Sequence, residues 1–359
     1  MERDTLSFSQ LMMLLFGGLM GPAAELLPGT AAKAGAAGAL GVTGAVVLMM
    51  VAGLFVRSLA AEEGFAVGLT QVFGRWGGKV VLTIYIVWGE LLLTVRLRQS
   101  AQRLSECGER DGAVWFFVLV LAGMTLWMAY GHLGALGRAA QLFFGALAVV
   151  GGMVLIFSLH QVRSGRLLVE WPWSRKGIGA VLLPGAQVLG YGVFASFLYE
   201  CSEKRRTKRW IRCLCVVWLV LVAVQIIVVG RFGPRLTLEL NSGFFQLAEG
   251  IGLEGAFQRV ESLVAAVWVF SDLLLLAGIL WGMRRIGEVL WPEIPASVVI
   301  ASAGGLSGVA AVAVLGVSVP VWNLEWYVVP IGNLVLGAAI PGAACVWKRK
   351  NKKVLTNGE

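Results

Sequence analysis

The sequence predicts an all-α integral membrane protein: ten transmembrane helices in a five-plus-five inverted repeat, with the first and sixth helices broken. Three observations predict it. Of the 359 residues 58% are hydrophobic and only 14% charged, with a mean hydropathy of +0.79. A water-soluble domain of that size and composition would lack a wettable surface. Apolar runs reach the ~20 residues that cross hydrocarbon, near 7–28, 36–57, 79–98, 113–131, 138–159, 178–199, 211–230, 258–282, 296–318 and 325–346. Glycine–proline interruptions recur in the first and the sixth of these runs, the mark of paired repeats that bind ligand at the midplane.

The first span opens on Ser7-Phe8-Ser9-Gln10, which fits the capping box S-x-x-Q, so a helix starts there. Farther along it carries Gly17-Gly18 and Gly21-Pro22. Proline removes a backbone donor and crowds the preceding turn, and the glycine pair four residues earlier eases unwinding. The linker 58–78 mixes Gly, Phe and charge and reads as a short interfacial helix, as does 231–257. The sixth span begins LLPGAQVLGYG, with Pro184-Gly185 and Gly190-Tyr191-Gly192 inside an apolar run. One membrane domain occupies the chain: a first repeat over 1–175, a second over 176–347, and a basic tail over 348–359.

Charge sets the orientation. With the N-terminus inside, eighteen of the thirty Lys and Arg fall on the inner side, which places both termini in the cytoplasm. The leader MERD has no net positive charge and Glu25 interrupts the apolar stretch after it, so no cleaved signal peptide is expected. The net charge of +9 belongs mostly to inner loops, which argues against a nucleic-acid partner; KRKNKK (348–353) reads as a stop-transfer anchor beside membrane lipid. The five cysteines show no metal spacing and read as packing residues. H-E-x-x-H, G-x-S-x-G and the Walker loop are absent, so no enzyme, cofactor or metal site is expected.

Two acids lie deep in spans: Asp272 in FQRVESLVAAVWVFSDLLLL (257–276) and Glu90 in VVLTIYIVWGELLLTV (80–95). An acid near the centre of a span costs about 2.5–3.5 kcal/mol to insert, so each needs compensation. Thr83, Val87, Glu90 and Thr94 share one helical stripe; Glu261, Ala265, Trp268 and Asp272 share another. In the inverted repeat the third and eighth spans flank one cavity, and no Lys or Arg is predicted at the acids' depth. Three readings follow: the acids meet a proton, a cation or a ligand ammonium; each is protonated or bonded to backbone freed by the broken helices; or they snorkel towards Arg96 or Arg98. The candidate ligand site is therefore Gly17, Gly18, Gly21, Glu90, Gly190, Tyr191, Gly192, Trp268 and Asp272. Glu25 is either an outer gate or an interfacial group.

Three stretches carry a family resemblance: LSFSQLMMLLFGGLMG (6–21) with Pro28 beyond it, VFGRWGGKVV (72–81), and LTLELNSGFFQLAEGIGLEGAFQRVESLVAAVW (236–268). They resemble the opening, the turn into the third helix and the outer segment of the spore germination permease family. That family is the B subunit of nutrient germinant receptors, within the amino acid–polyamine–organocation transporter superfamily. Gln258 stands where the family has an acid before Arg259, and Asp272 where it more often has a basic or neutral residue. The resemblance implies a LeuT-like fold in the membrane of a spore-forming bacterium, a small nutrient such as an amino acid as ligand, and companion A and C subunits as partners. It also implies that Arg259 and Glu261 order the outer segment above the site. The alternative function is a proton- or sodium-coupled amino acid or amine transporter with Asp272 and Glu90 as coupling groups; a ligand-free membrane scaffold is the third.

Overall fold

The computed structural model describes residues 5–31, 38–60, 64–107, 113–167, 186–188, 190–201, 207–240, 242–250, 260–315 and 328–356, with the side chains of some helix ends left out. Pro184, Gly185 and Arg259 lie outside the described residues, and so do the side chains of Pro28 and Glu261. Every regular element among the described residues is helical. In chain order they are α1 (Phe8–Ala31), α2 (Gly38–Leu59), α3 (Phe65–Cys107), α4 (Val114–Tyr130) and α5 (Leu133–Ser158). A segment, 186–201, is helical at 186–188 and 190–196 and ends in the 3₁₀ turn Tyr199–Cys201. Then come α6 (Thr207–Phe232), α7 (Pro234–Glu239), α8 (Gly243–Glu249), α9 (Val260–Leu290) and α10 (Ala296–Leu315). The chain closes with α11 (Val329–Leu334), a π-helical turn (Val335–Ala339) and α12 (Ile340–Thr356). Among the described residues seven helices are long and apolar enough to cross a membrane.

The capping box forms as the residues dictate. The Ser7 amide donates to Gln10 Oε1 at 2.9 Å, and the Gln10 amide donates to Ser7 Oγ at 3.2 Å. One residue earlier the Leu6 amide donates to the Cys201 carbonyl at 2.7 Å, tying the start of α1 to the end of the 186–201 segment. The Cys201 Sγ in turn lies 2.7 Å from Arg285 Nη2 on α9. Where they are described, both linkers are largely helical. Gly74, at φ +75°, kinks α3 and sets off its first turns from the span that follows, while α7 and α8 are short helices between α6 and α9. The third span reaches farther than its apolar run implies, to Cys107 rather than 98.

α9 is the centre of the bundle: 72% of its apolar window is buried, and it packs against α1, α3, α4, α5, α8 and α10. The outward faces of α4, α5 and α10 are apolar too, with Trp127, Leu142, Val149 and Val309 each more than two-thirds exposed. An apolar exterior around a packed interior is what a lipid solvent selects.

The expected break in the first helix takes a different form. α1 stays helical from Phe8 to Ala31. Instead of unwinding, it admits a side chain from α9 into its ladder. The Ser271 hydroxyl donates to the Gly17 carbonyl at 2.5 Å and accepts from the Gly21 amide at 2.9 Å, bridging the two groups of one helical bond. Pro22 has no amide proton for the Gly18 carbonyl, which lies 3.3 Å from the same hydroxyl. The glycines let α9 come this close: a Cβ on Gly18 would sit 3.1 Å from the Leu275 backbone. Gly18→Leu should therefore push α1 off α9 and lower stability by about 1–3 kcal/mol, read as a drop in the melting temperature of the purified protein. An unchanged melting curve would show that the contact does not hold the helices together.

Candidate functional site

The third span's extra length changes the electrostatics. Arg96, Gln99, Ser100 and Arg103 follow i, i+3, i+4, i+7 spacing, so the helix presents them on one face. That face meets α9 and α1. Arg96 donates to Asp272 Oδ1 from Nε at 3.1 Å and from Nη2 at 2.6 Å, and from Nη1 to Glu25 Oε2 at 2.9 Å. Arg103 donates from Nη1 to the same Glu25 oxygen at 2.6 Å, and from Nη2 to Asp272 Oδ2. Two guanidiniums and two carboxylates thus close a ring with no net formal charge, joining α1, α3 and α9. Arg96 and Asp272 are buried and Glu25 nearly so, at 0%, 1% and 10% side-chain exposure. Opposite charges at such distances interact strongly where water is excluded.

This geometry corrects three expectations. Asp272 is neutralised by Arg96 and Arg103, which sit at its depth because α3 continues past its apolar run. Glu25 is neither a free gate nor an interfacial group but a member of the ring. Glu90 and Asp272 do not share a cavity. Glu90 stands six residues, roughly 9 Å of helix rise, from Arg96 and about 120° around α3 from it. The face that meets α9 runs instead through Gly89, which packs against Met283, then Arg96 and Arg103. The stripe assigned to Glu90 turns outward: Thr83 is exposed and bonds its own backbone at Lys79, and Val87 is 64% exposed. Glu90 itself is half-buried, with Oε2 enclosed and unpaired among the described residues.

Most other predicted residues gather near the ring. Gly17, Gly18 and Gly21 lie against Leu274, Leu275 and Ser271, and a Cβ on Gly21 would sit 3.3 Å from Asp272 Oδ1. Tyr191 is buried within electrostatic reach of Arg96. Trp268 stacks with Phe244 and Phe245 of α8, and Arg103 lies 5.4 Å from the Phe245 ring centre, so the aromatics cover the ring's flank. Gly190 is held elsewhere. Asn333 of α11 fills the space a Cβ would take there, donating to the Gln187 carbonyl at 2.8 Å and accepting from Trp88 Nε1 at 2.9 Å. Gly192 faces Leu15, Leu19 and Met49 and lines a cleft between α1, α2, the 186–201 segment and α6. Sequence reasoning misses Arg103 and Ser271 and offers Arg96 only as a group towards which an acid could snorkel. The arginine spacing was readable; the serine, one position before Asp272, carried no pattern. Among the described residues no three His, Cys, Asp or Glu cluster as a metal would need.

A family model described as spore germination protein matches residues 5–309. The chain belongs to that family. Its fold is also found in a solved structure: the crystal structure of MhsT in complex with L-phenylalanine superposes with a TM-score of 0.72, covering 94% of this chain and 89% of that one at 15% identity. At that identity the likeness concerns the fold, which is the LeuT type. No curated protein matches the sequence. The spore germination family thus comes with an integral membrane, permease-like architecture.

The ring makes a specific prediction. Asp272→Asn leaves two guanidiniums facing one carboxylate and should destabilise the protein by about 3–5 kcal/mol. The double change Arg103→Met with Asp272→Leu removes one charge of each sign and should recover most of that loss. Thermal melts of the two variants beside the unmodified protein check it; equal losses would mean the charges do not act as a unit.

Proposed function

We propose that the protein is the permease-like subunit of a nutrient germinant receptor, which binds a small nutrient, an amino acid, within the membrane and passes the signal to companion A and C subunits. In this reading it sits in the cell membrane of a spore-forming bacterium with both termini in the cytoplasm. Its ten crossings form two inverted repeats, 1–175 and 176–347. The supporting observation is the opened ladder of α1. Pro22 leaves the Gly18 carbonyl without its helical donor, and Tyr191 of the 186–201 segment lies near the same cluster. Helix openings of this kind offer backbone dipoles to the charged ends of a zwitterion. Gly17, Gly18, Gly21, Tyr191 and Trp268 then line or cover the ligand, while Gly192 belongs to the cleft beside α2 and Arg259 and Glu261 order the segment above the site. Membership of the germination family and the fold shared with an L-phenylalanine-bound structure support the same reading.

A coupled transporter fits less well. Coupling through Asp272 would require an ion to compete with two arginines already bonded to it. Among the described residues Glu90, with its unpaired oxygen, offers such a group.

The test is thermal stabilisation of the purified protein across the common amino acids, beside Tyr191→Phe, which removes only a hydroxyl. One or a few amino acids should raise the melting temperature saturably, and the variant should weaken the effect while folding without ligand. A ligand effect unchanged in Tyr191→Phe moves the site away from the 186–201 segment. If no amino acid stabilises the protein, either alone or with its companion subunits, the reading fails.

A further inference from the structure

We infer that the cleft between the first half of α1, the second half of α2, the 186–201 segment and α6 binds an apolar molecule carrying a single anionic group, held by Arg57. This site is separate from the amino-acid site proposed above and does not depend on it. The cleft is open to its surroundings, with about 610 Å³ of free space counted out through its mouth, and it runs on past Gly53 and Gly192 to Met49 and Gly337. Its walls are apolar, chiefly Leu11, Met12, Leu15 and Leu54 with the Trp210 indole. Arg57 is the one charged group among its described lining residues. The two buried arginines, Arg96 and Arg103, are paired, whereas Arg57, half-buried, bonds to no described residue. A guanidinium presents a planar fork matched to a carboxylate or phosphate.

The arrangement also selects shape. Arg57 lies two residues before the end of α2, so the charge sits at the mouth, and the apolar wall runs inward to Met49, about 12 Å of helix rise. Leu54, one turn from Arg57, is 48% exposed on the rim, so the cleft opens sideways beside α2. An amphiphile can enter there head last. Two groups stand ready for the head's second oxygen or the chain's near end. The Ser196 hydroxyl lines the cleft, and the Trp210 indole N–H, packed on Gly53, has no acceptor among the described residues.

The experiment titrates the full-length protein, in non-ionic detergent, with sodium decanoate, decan-1-ol and decyltrimethylammonium, each below its micelle concentration. Short-chain phosphatidylglycerol and phosphatidylcholine form a second arm. Decanoate or phosphatidylglycerol should raise the melting temperature saturably, and decanol, decyltrimethylammonium and phosphatidylcholine should not. Arg57→Gln should weaken the apparent Kd about tenfold, the scale of one lost charged contact, while Arg57→Lys, which keeps the charge without the fork, should fall between Arg57→Gln and the unmodified protein. A response to decanoate alone identifies a free carboxylate as the source; one confined to phosphatidylglycerol identifies a lipid headgroup. An equal response to decanol, an anion response unchanged in Arg57→Gln, or no response to either anion overturns the inference. Amino-acid stabilisation measured in Arg57→Gln should be unaltered, which keeps this outcome distinct from that of the germinant site.

Discussion

Four charges that sum to zero fasten the bundle. Each alone would be expensive inside a membrane, and a single pair would leave lone pairs and N–H groups unmet. Closed into a ring, Arg96, Arg103, Glu25 and Asp272 give one another bonds that lipid and buried backbone withhold. The ring draws together helices distant in sequence, and the remaining contacts are arranged around it. The α1 glycines admit α9, the Ser271 hydroxyl enters the α1 ladder one residue from Asp272, and the aromatic residues of α8 and α9 shield Arg103. Buried ion pairs are weak evidence for stability in general. Here the structural argument is registry: only one axial alignment of α1, α3 and α9 lets all four groups meet.

Ser271 shows how a helix is opened without being broken. Proline and glycine weaken the i→i−4 ladder from within the sequence of α1, but the group that occupies the weak point comes from another helix. The opening therefore exists only in the packed state. A carbonyl made available in this way is available at one place and facing one direction, which a flexible loop could not guarantee.

The sequence made much of this legible. Composition and the length of apolar runs decide the class outright, because a lipid solvent leaves few alternatives for the backbone. The Ser7–Gln10 cap, the weak point at Gly17–Pro22 and the burial of Asp272 were all local patterns. What escaped reading was nonlocal. Ending the third span at 98 hid Arg103 and left Arg96 at the span's edge, since paired charges let a helix stay buried beyond its hydrophobic stretch. The outward turn of Glu90 was equally hidden, because a polar stripe reads the same whether it faces a cavity or the surroundings. Deciding that requires knowing which side α9 occupies, information carried by Gly89, whose missing side chain looked merely permissive.

The bond from the Leu6 amide to the Cys201 carbonyl has a mechanical consequence. It pins one end of α1 to the 186–201 segment, and the adjacent Arg285 pins that junction to α9. A rod fixed at one end is a lever. Glu25 lies nineteen residues from Leu6, about 28 Å along the rod, so a tilt of about 5° at the pivot carries its carboxylate roughly 2 Å. A rotation that small, too slight to disturb packing beside the fulcrum, is enough to part Glu25 from both arginines at the far end.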